Sequence, residues 1–303
     1  MKQTIGSDGR TRYAAPAAAC AVDVLAFLGS SSAALSLSEL ERGVLRSKSL
    51  IFRVLRELEA GDMVDRDASG RYRLGLGALE IGAASLGQRG FTELVGGILQ
   101  SVADESGETV SLGVLRGSEV LYLMKFQGPN SYITISRVGG RVPATCVAIG
   151  KVLLAQLSES DIRAEFGRSR FPRMTPKSVS TVPALLDEIH AARINGFAID
   201  KEQAVLGRCG IAVALQLREL GETAALSIST SIETFDARRP RLLQALIAAR
   251  DRIERDDAAR NTLVTAGARD RSRLPDALGS GGAAVRITEA SGARSRRLRR
   301  GSR

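Results

Sequence analysis

Between Ala17 and Gly61 three short amphipathic segments follow one another with little connecting chain, and this crowding constrains the fold more than any other feature of the sequence. In the first, Val22, Leu25, Ala26 and Leu28 recur at spacings of three and four, the period of one helix face, before Gly29 and three serines end it. The second opens at Ser36, three residues ahead of Glu39, a spacing at which hydroxyl and carboxylate each satisfy a free backbone donor of the helix start. The third follows Arg46, with Ser47 at the N-cap position. Its apolar residues Ile51, Val54, Leu55 and Leu58 share one face, and Gly61 closes it.

Two short strands are expected next, Met63–Arg66 and Arg71–Leu74, joined by a turn-rich loop of hairpin length. Three short helices and a two-stranded hairpin are the layout of a winged helix-turn-helix. On the third helix Lys48, Ser49, Phe52, Arg53 and Arg56 fall opposite the apolar face. A recognition helix needs such a stripe, because cations and hydroxyls near its start meet bases and phosphates in the major groove. In the hairpin, Arg66, Arg71 and Arg73 are placed to reach an adjacent DNA backbone. The residues alone leave a second reading open, an ordinary solvated helix face beside a surface hairpin, since this spacing is permissive.

Residues 76–106 return to helical spacing broken by glycines and read as two helices, the first a linker. From about 107 to 256, strand-like runs (Val110–Leu115, Val120–Lys125, Tyr132–Ser136, Ile211–Leu215, Ala224–Ser229) alternate with helices (Gly150–Leu157, Val182–Asn195, Pro240–Arg255). An antiparallel sheet flanked by helices, an α+β sensor domain, accounts for that order better than a βαβ repeat. The expected organisation is a disordered arm over 1–16, the winged helix-turn-helix over 17–77 and a linker helix over 78–100. A sensor domain over 101–256 and a disordered Arg-rich tail over 257–303 complete it.

The net charge of +10 over 303 residues looks like a nucleic-acid signature, but its distribution weakens the inference. Residues 1–75 carry +2, residues 76–256 carry +1, and residues 257–303 carry +7. Any case for DNA must therefore come from the helix pattern. Aromatic residues at 4% exclude the stacking platforms used on single-stranded nucleic acid. A lone histidine, His190, removes most metal sites and imidazole-based catalysis, so neither a metal nor a cofactor is expected. Three scattered cysteines form no disulfide framework, and no apolar run is long enough to span a membrane; a cytoplasmic location is expected.

The segments Ser47–Leu55, Leu58–Arg66 and Gly70–Gly75 resemble the DNA-binding domain of IclR-type bacterial transcription regulators. The resemblance continues in order through Gly107–Ser111, Arg137–Pro143, Cys146–Ala155, Asn195–Asp200, Gly210–Val213 and Ala225–Ser229, covering about residues 20–255. It implies a GAF-like effector-binding domain after the linker helix. It also implies dimers, or dimers of dimers, on palindromic double-stranded operators, with affinity tuned by a small carboxylate or aromatic metabolite. Two-fold symmetry suits one short recognition helix, which reads too few base pairs by itself. Carried over by position, the effector cleft falls on Ala148 and Ile149, whose amides would face an effector carboxylate, and on Asp200, Gly210, Ser227 and Ser229. The DNA contacts fall on Ser47, Lys48, Ser49, Phe52, Arg53 and Arg56, with Arg71 and Arg73 from the wing.

Departures from the family pattern bear on specificity. Gly210 stands where many members have Cys, Thr145 replaces a frequent His, and Val147 a frequent Thr. Leu50 and Phe52 stand where hydroxyl or imidazole side chains are common. Leu45 occupies a turn position usually given to Gly, where it must avoid positive φ or accept strain. A second function class, an enzyme of small carboxylates with an accessory N-terminal domain, has no nucleophile–base pair, phosphate loop or metal cluster behind it. Asp200 and Glu202 read as a paired-carboxylate site or, more simply, as a solvated loop pair. Cys146 and Cys209 read as packing residues, though Arg208 beside Cys209 leaves a lowered thiol pKa open. The Arg-rich tail reads either as a solubilising extension or as a non-specific DNA contact.

Overall fold

The computed structural model describes residues 15–87, 91–131, 135–167, 171–217 and 221–271. The expected arm falls outside them except for its last two residues, as does everything beyond Arg271. The chain up to Asn261 forms one compact unit.

Helix α1 (Pro16–Ser30) opens with proline, whose missing N–H costs nothing in a first turn. Helix α2 (Leu37–Val44) starts at the capping box: Ser36 Oγ accepts from Glu39 N at 3.3 Å, and Glu39 Oε2 accepts from Ser36 N at 2.7 Å. Helix α3 (Lys48–Ala60) buries Ile51, Val54 and Leu55 against Cys20, Val24 and Leu28 of α1 and Leu40 of α2. Strands β1 (Val64–Arg66) and β2 (Tyr72–Leu74) form the hairpin, Val64 opposite Leu74. In its loop Asp67 Oδ1 accepts from the amides of Ser69 and Arg71, both at 2.9 Å. Leu45, between α2 and α3, takes the strained option, φ 56° and ψ 40°, with its side chain exposed.

Helices α4 (Leu76–Gly87) and α5 (Phe91–Ser106) lead into the second sheet. Its strands are β3 (Thr109–Arg116), β4 (Glu119–Phe126), β5 (Arg141–Pro143), β6 (Ala198–Lys201), β7 (Arg208–Leu217) and β8 (Glu222–Ser231). They run antiparallel in the order β5-β4-β3-β8-β7-β6. One face packs on α5 and on α9 (Ile232–Arg271) through Leu99, Leu112, Leu226, Phe235 and Leu246. The other packs on α6 (Ala148–Leu154), α7 (Glu159–Phe166) and α8 (Val182–Asn195) through Ile149, Ile162, Leu185 and Ala212. The fold class is α+β, a winged helix-turn-helix joined through a helix to a GAF-like α/β domain.

Two expectations need correction, and a third falls mostly outside the described residues. Of the strand expected at Tyr132–Ser136, residues 132–134 are not among those described, and Ile135 and Ser136 are in no strand. Among the described residues the sheet edge beside β4 is β5, pairing Val142 with Val120. The helix expected to begin at Pro240 begins at Ile232. Proline inside a helix costs about 3 kcal/mol, yet Phe235, Leu242, Leu246, Ala249 and Ile253 are all buried in one core, so packing carries the helix through. The same helix continues to Arg271, so the first part of the segment expected to be disordered, 257–303, is helical.

Candidate functional site

The first candidate surface is the outer face of α3. With Ile51, Val54 and Leu55 turned inward, the 3.6-residue period leaves Lys48, Ser49, Arg53 and Arg56 exposed, together with Phe52, which is 42% exposed. Ser47 holds the N-cap position, but its side chain makes no capping bond; its hydroxyl lies 3.5 Å from that of Ser49, and both are exposed. These residues form one continuous polar and cationic ridge.

The wing arginines are placed differently. Arg71 donates from Nε to Ala34 O and from Nη2 to Glu39 Oε2, each at 2.9 Å, and so ties the hairpin to the start of α2. Arg73 pairs with Asp65 at 3.3 Å on the exposed side of the hairpin. Arg66 lies over the Tyr72 ring, 5.5 Å from its centroid. These side chains shape the wing, a role that charge counting along the sequence does not distinguish from phosphate contact.

The second candidate site is a cavity of about 60 Å³ on the α6 face of the large sheet. Ala148, Ile149, Asp200, Gly210, Ser227 and Ser229 all line it, so the topology brings together residues from β6, β7, β8 and α6. Strand register explains how. Asp200 lies opposite Gly210, and Gly210 opposite Ser229, in one row. In the next row Ala212 lies opposite Ser227, and Ser227 opposite Ser111 of β3. Because side chains alternate along a strand, the two rows face the same side. Ser111, Tyr122, Ser136 and Arg208 complete the polar lining. The sequence reading missed them because they reach the cavity from segments far apart in the chain, Ser111, Tyr122 and Arg208 from strands and Ser136 from the connection between β4 and β5.

The electrostatics centre on Asp200, which is 7% exposed. Its Oδ2 accepts the Ala148 amide proton at 3.1 Å. An amide expected to face an effector carboxylate thus already holds a carboxylate of this chain. Burial raises the Asp200 pKa to about 6, against the lowering influence of Lys151 and of the Ala148 N–H. Lys151 is itself buried, bonded to Ile199 O at 3.0 Å and to Gln203 Oε1, and paired with Glu188 at 2.6 Å. A lysine inside the apolar run of α6 carried no signal in sequence of being a buried cation.

The remaining candidates resolve simply. Glu202 does not pair with Asp200; it holds Lys177 and accepts from Gly207 N at 2.9 Å. Burial pushes the Cys209 thiol up to about 11, which removes the option of a lowered pKa beside Arg208. Cys146 is buried with Sγ 3.4 Å from Pro172 O. His190 meets Glu159 at 2.7 Å between α8 and α7. Among the described residues no helix is long and apolar enough to cross a membrane.

A winged helix-turn-helix followed by a sheet with a polar cavity is an architecture that suits a transcriptional regulator, and the comparisons with known proteins agree. Residues 83–255 match the family described as bacterial transcriptional regulator IclR C-terminal. The HTH-type transcriptional regulator XynR of Escherichia coli K12 is 30% identical over 217 residues, 71% of this chain and 86% of its own. The HTH-type transcriptional repressor AllR of the same strain is 29% identical over 209 residues, 69% of this chain and 77% of its own. Among solved structures, an IclR transcriptional regulator from Alicyclobacillus acidocaldarius superposes with a TM-score of 0.71 at 26% identity, covering 80% of this chain and 98% of that one. An IclR homologue from Microbacterium hydrocarbonoxydans, complexed with 4-hydroxybenzoate, gives 0.70 at 25% identity, covering 80% and 99%. The chain belongs to the IclR family of bacterial transcriptional regulators.

Proposed function

We propose that the protein binds palindromic operator DNA as a dimer or dimer of dimers, and that a small organic acid or aromatic metabolite in the β6–β7–β8 cavity modulates its affinity. The observation that carries this reading is the exposed ridge from Ser47 to Arg56 on a helix whose opposite face is buried. Such a helix fits the major groove, where cations and donors at its start reach bases and phosphates.

Self-association is supported by α4, on which Leu76, Leu79 and Ile81 are 72%, 66% and 61% exposed. Three large apolar side chains left to water on one short helix are the kind of surface a second copy covers. The effector reading is supported by the cavity and by the relative solved with 4-hydroxybenzoate. For a ligand to change operator affinity it must bind the two arrangements of the recognition helices unequally; a hundredfold effect needs about 2.7 kcal/mol of coupling. No observation favours the enzyme alternative, since His190 is engaged on the surface and the Cys209 thiol is raised by burial.

The test is a mobility shift on the DNA upstream of the protein's own coding region. A complex is expected with the wild type and not with the Lys48→Ala, Arg53→Ala double variant. Equal retardation by both proteins would remove α3 from the interface. A thermal-shift screen of small acids reads the effector separately, because a ligand selective for the native state raises its melting temperature.

A further inference from the structure

The position of Asp200 depends on residue 210 having no side chain. A Cβ built on Gly210 would stand 2.3 Å from Asp200 Oδ2 and 3.4 Å from Ala148 Cβ. Glycine at 210 therefore leaves the gap into which the neighbouring carboxylate leans to reach the Ala148 amide. The charges that act on it are those of Lys151 of α6 and Glu188 of α8, and its own charge in turn raises the pKa of the neutral Tyr122 of β4 and Cys209 of β7. The one cation among them is already held by Glu188, Gln203 and Ile199 O.

We propose that Gly210 and Asp200 together set the chemical class of the effector: a molecule that brings a hydroxyl or protonated amine to the Asp200 carboxylate, rather than a bare carboxylate seated on the Ala148 amide. The inference rests on the cavity being the effector site and sharpens that reading. A ligand carboxylate at the amide would compete with Asp200 for one N–H and would set two like charges in contact. A ligand hydroxyl instead donates to Asp200, while Ser111, Ser227 and Ser229 line the remainder of the cavity as donors or acceptors. If the effector is also an acid, Arg208 on the same wall is the cation for its carboxylate.

The experiment measures binding of three probes, lactate, propionate and propane-1,2-diol, to the full chain by titration calorimetry and thermal shift at neutral pH. The wild type is expected to hold lactate at least about tenfold more tightly than propionate, the size expected for one buried hydrogen bond. The diol, which has the hydroxyl and no carboxylate, is expected to bind as well. The atoms an alanine methyl at 210 would meet are side-chain atoms of Asp200 and Ala148 and no backbone. Gly210→Ala should therefore push the Asp200 carboxylate off the Ala148 amide with the fold retained, checked by its thermal melt, and the preference should collapse toward propionate. Asp200→Asn should likewise erase the discrimination. Equal affinity of the wild type for lactate and propionate, or an unchanged ratio in Gly210→Ala, would overturn the proposal. So would silence of all three proteins toward all three probes. That last result would leave operator binding, read by mobility shift, standing.

Discussion

Arg71 Nη2 and Glu39 Oε2 stand 2.9 Å apart, and the same glutamate oxygen accepts the backbone N–H of Ser36 at the start of α2. One carboxylate thus joins a helix cap to the wing, and the Ser36 bonds that come first in lowering its pKa mark the cap as its main partner. Replacing Arg71 with Ala removes this link and the bond to Ala34 O. Both groups are more than a third exposed and solvent screens the pair, so the loss expected is small, read as a slightly lower melting temperature. Arg53→Ala, on an exposed face, should move stability by no more than about 0.5 kcal/mol while weakening DNA binding. Equal stability losses in the two variants would contradict the division of labour.

Leu45→Gly should stabilise the protein. The native φ of 56° disfavours a branched side chain, and Leu45 is 84% exposed, so little burial is forfeited. The relief of about 1–2 kcal/mol for a left-handed residue is partly offset by the greater unfolded-state freedom of glycine, leaving a gain of about 0.5–1 kcal/mol. Denaturant unfolding measures it. A loss would mean that Leu45 makes contacts in an assembly.

Asp200 makes stability depend on pH in a defined direction. Its folded pKa, about 6, lies above the ordinary 3.8, so the folded state binds the proton more tightly than the unfolded chain. The stabilisation it brings is complete in acid and is lost as the pH rises through about 6. The full effect corresponds to about 3 kcal/mol. Asp200→Asn should therefore be more stable than the wild type at neutral pH, with the gap narrowing as the pH falls from about 6 toward 3.8. A difference that does not change with pH would show that the carboxylate ionises freely.

The winged domain was legible because its signals are local. Ser36 and Glu39 are three residues apart, the turn at Asp67–Gly70 is built from its own side chains, and the stripe Ile51, Val54, Leu55 needs only a period of 3.6. The candidate effector residues were reached through the family resemblance, and strand register brings those on β6, β7 and β8 to the one cavity that Ala148 and Ile149 also line. What stayed hidden is non-local. That Asp200 turns onto Ala148, 52 residues earlier, depends on the gap at Gly210, and the burial of Lys151 depends on Glu188 and Gln203 arriving from other elements. Helix α9 runs through Pro240 because the core beneath it outweighs a local breaker, and no local rule contains that core.

Salt dependence of DNA binding tests the central claim most directly. Fluorescence anisotropy with the upstream DNA, in the presence of excess unrelated duplex, gives log affinity against log salt for the wild type and for the Lys48→Ala, Arg53→Ala variant. Each lost phosphate contact flattens the slope by about 0.9. The variant is expected to bind more weakly, with a slope shallower by one to about two such steps. Identical affinity and slope for the two proteins would contradict it, because the outer face of α3 would then not touch the duplex.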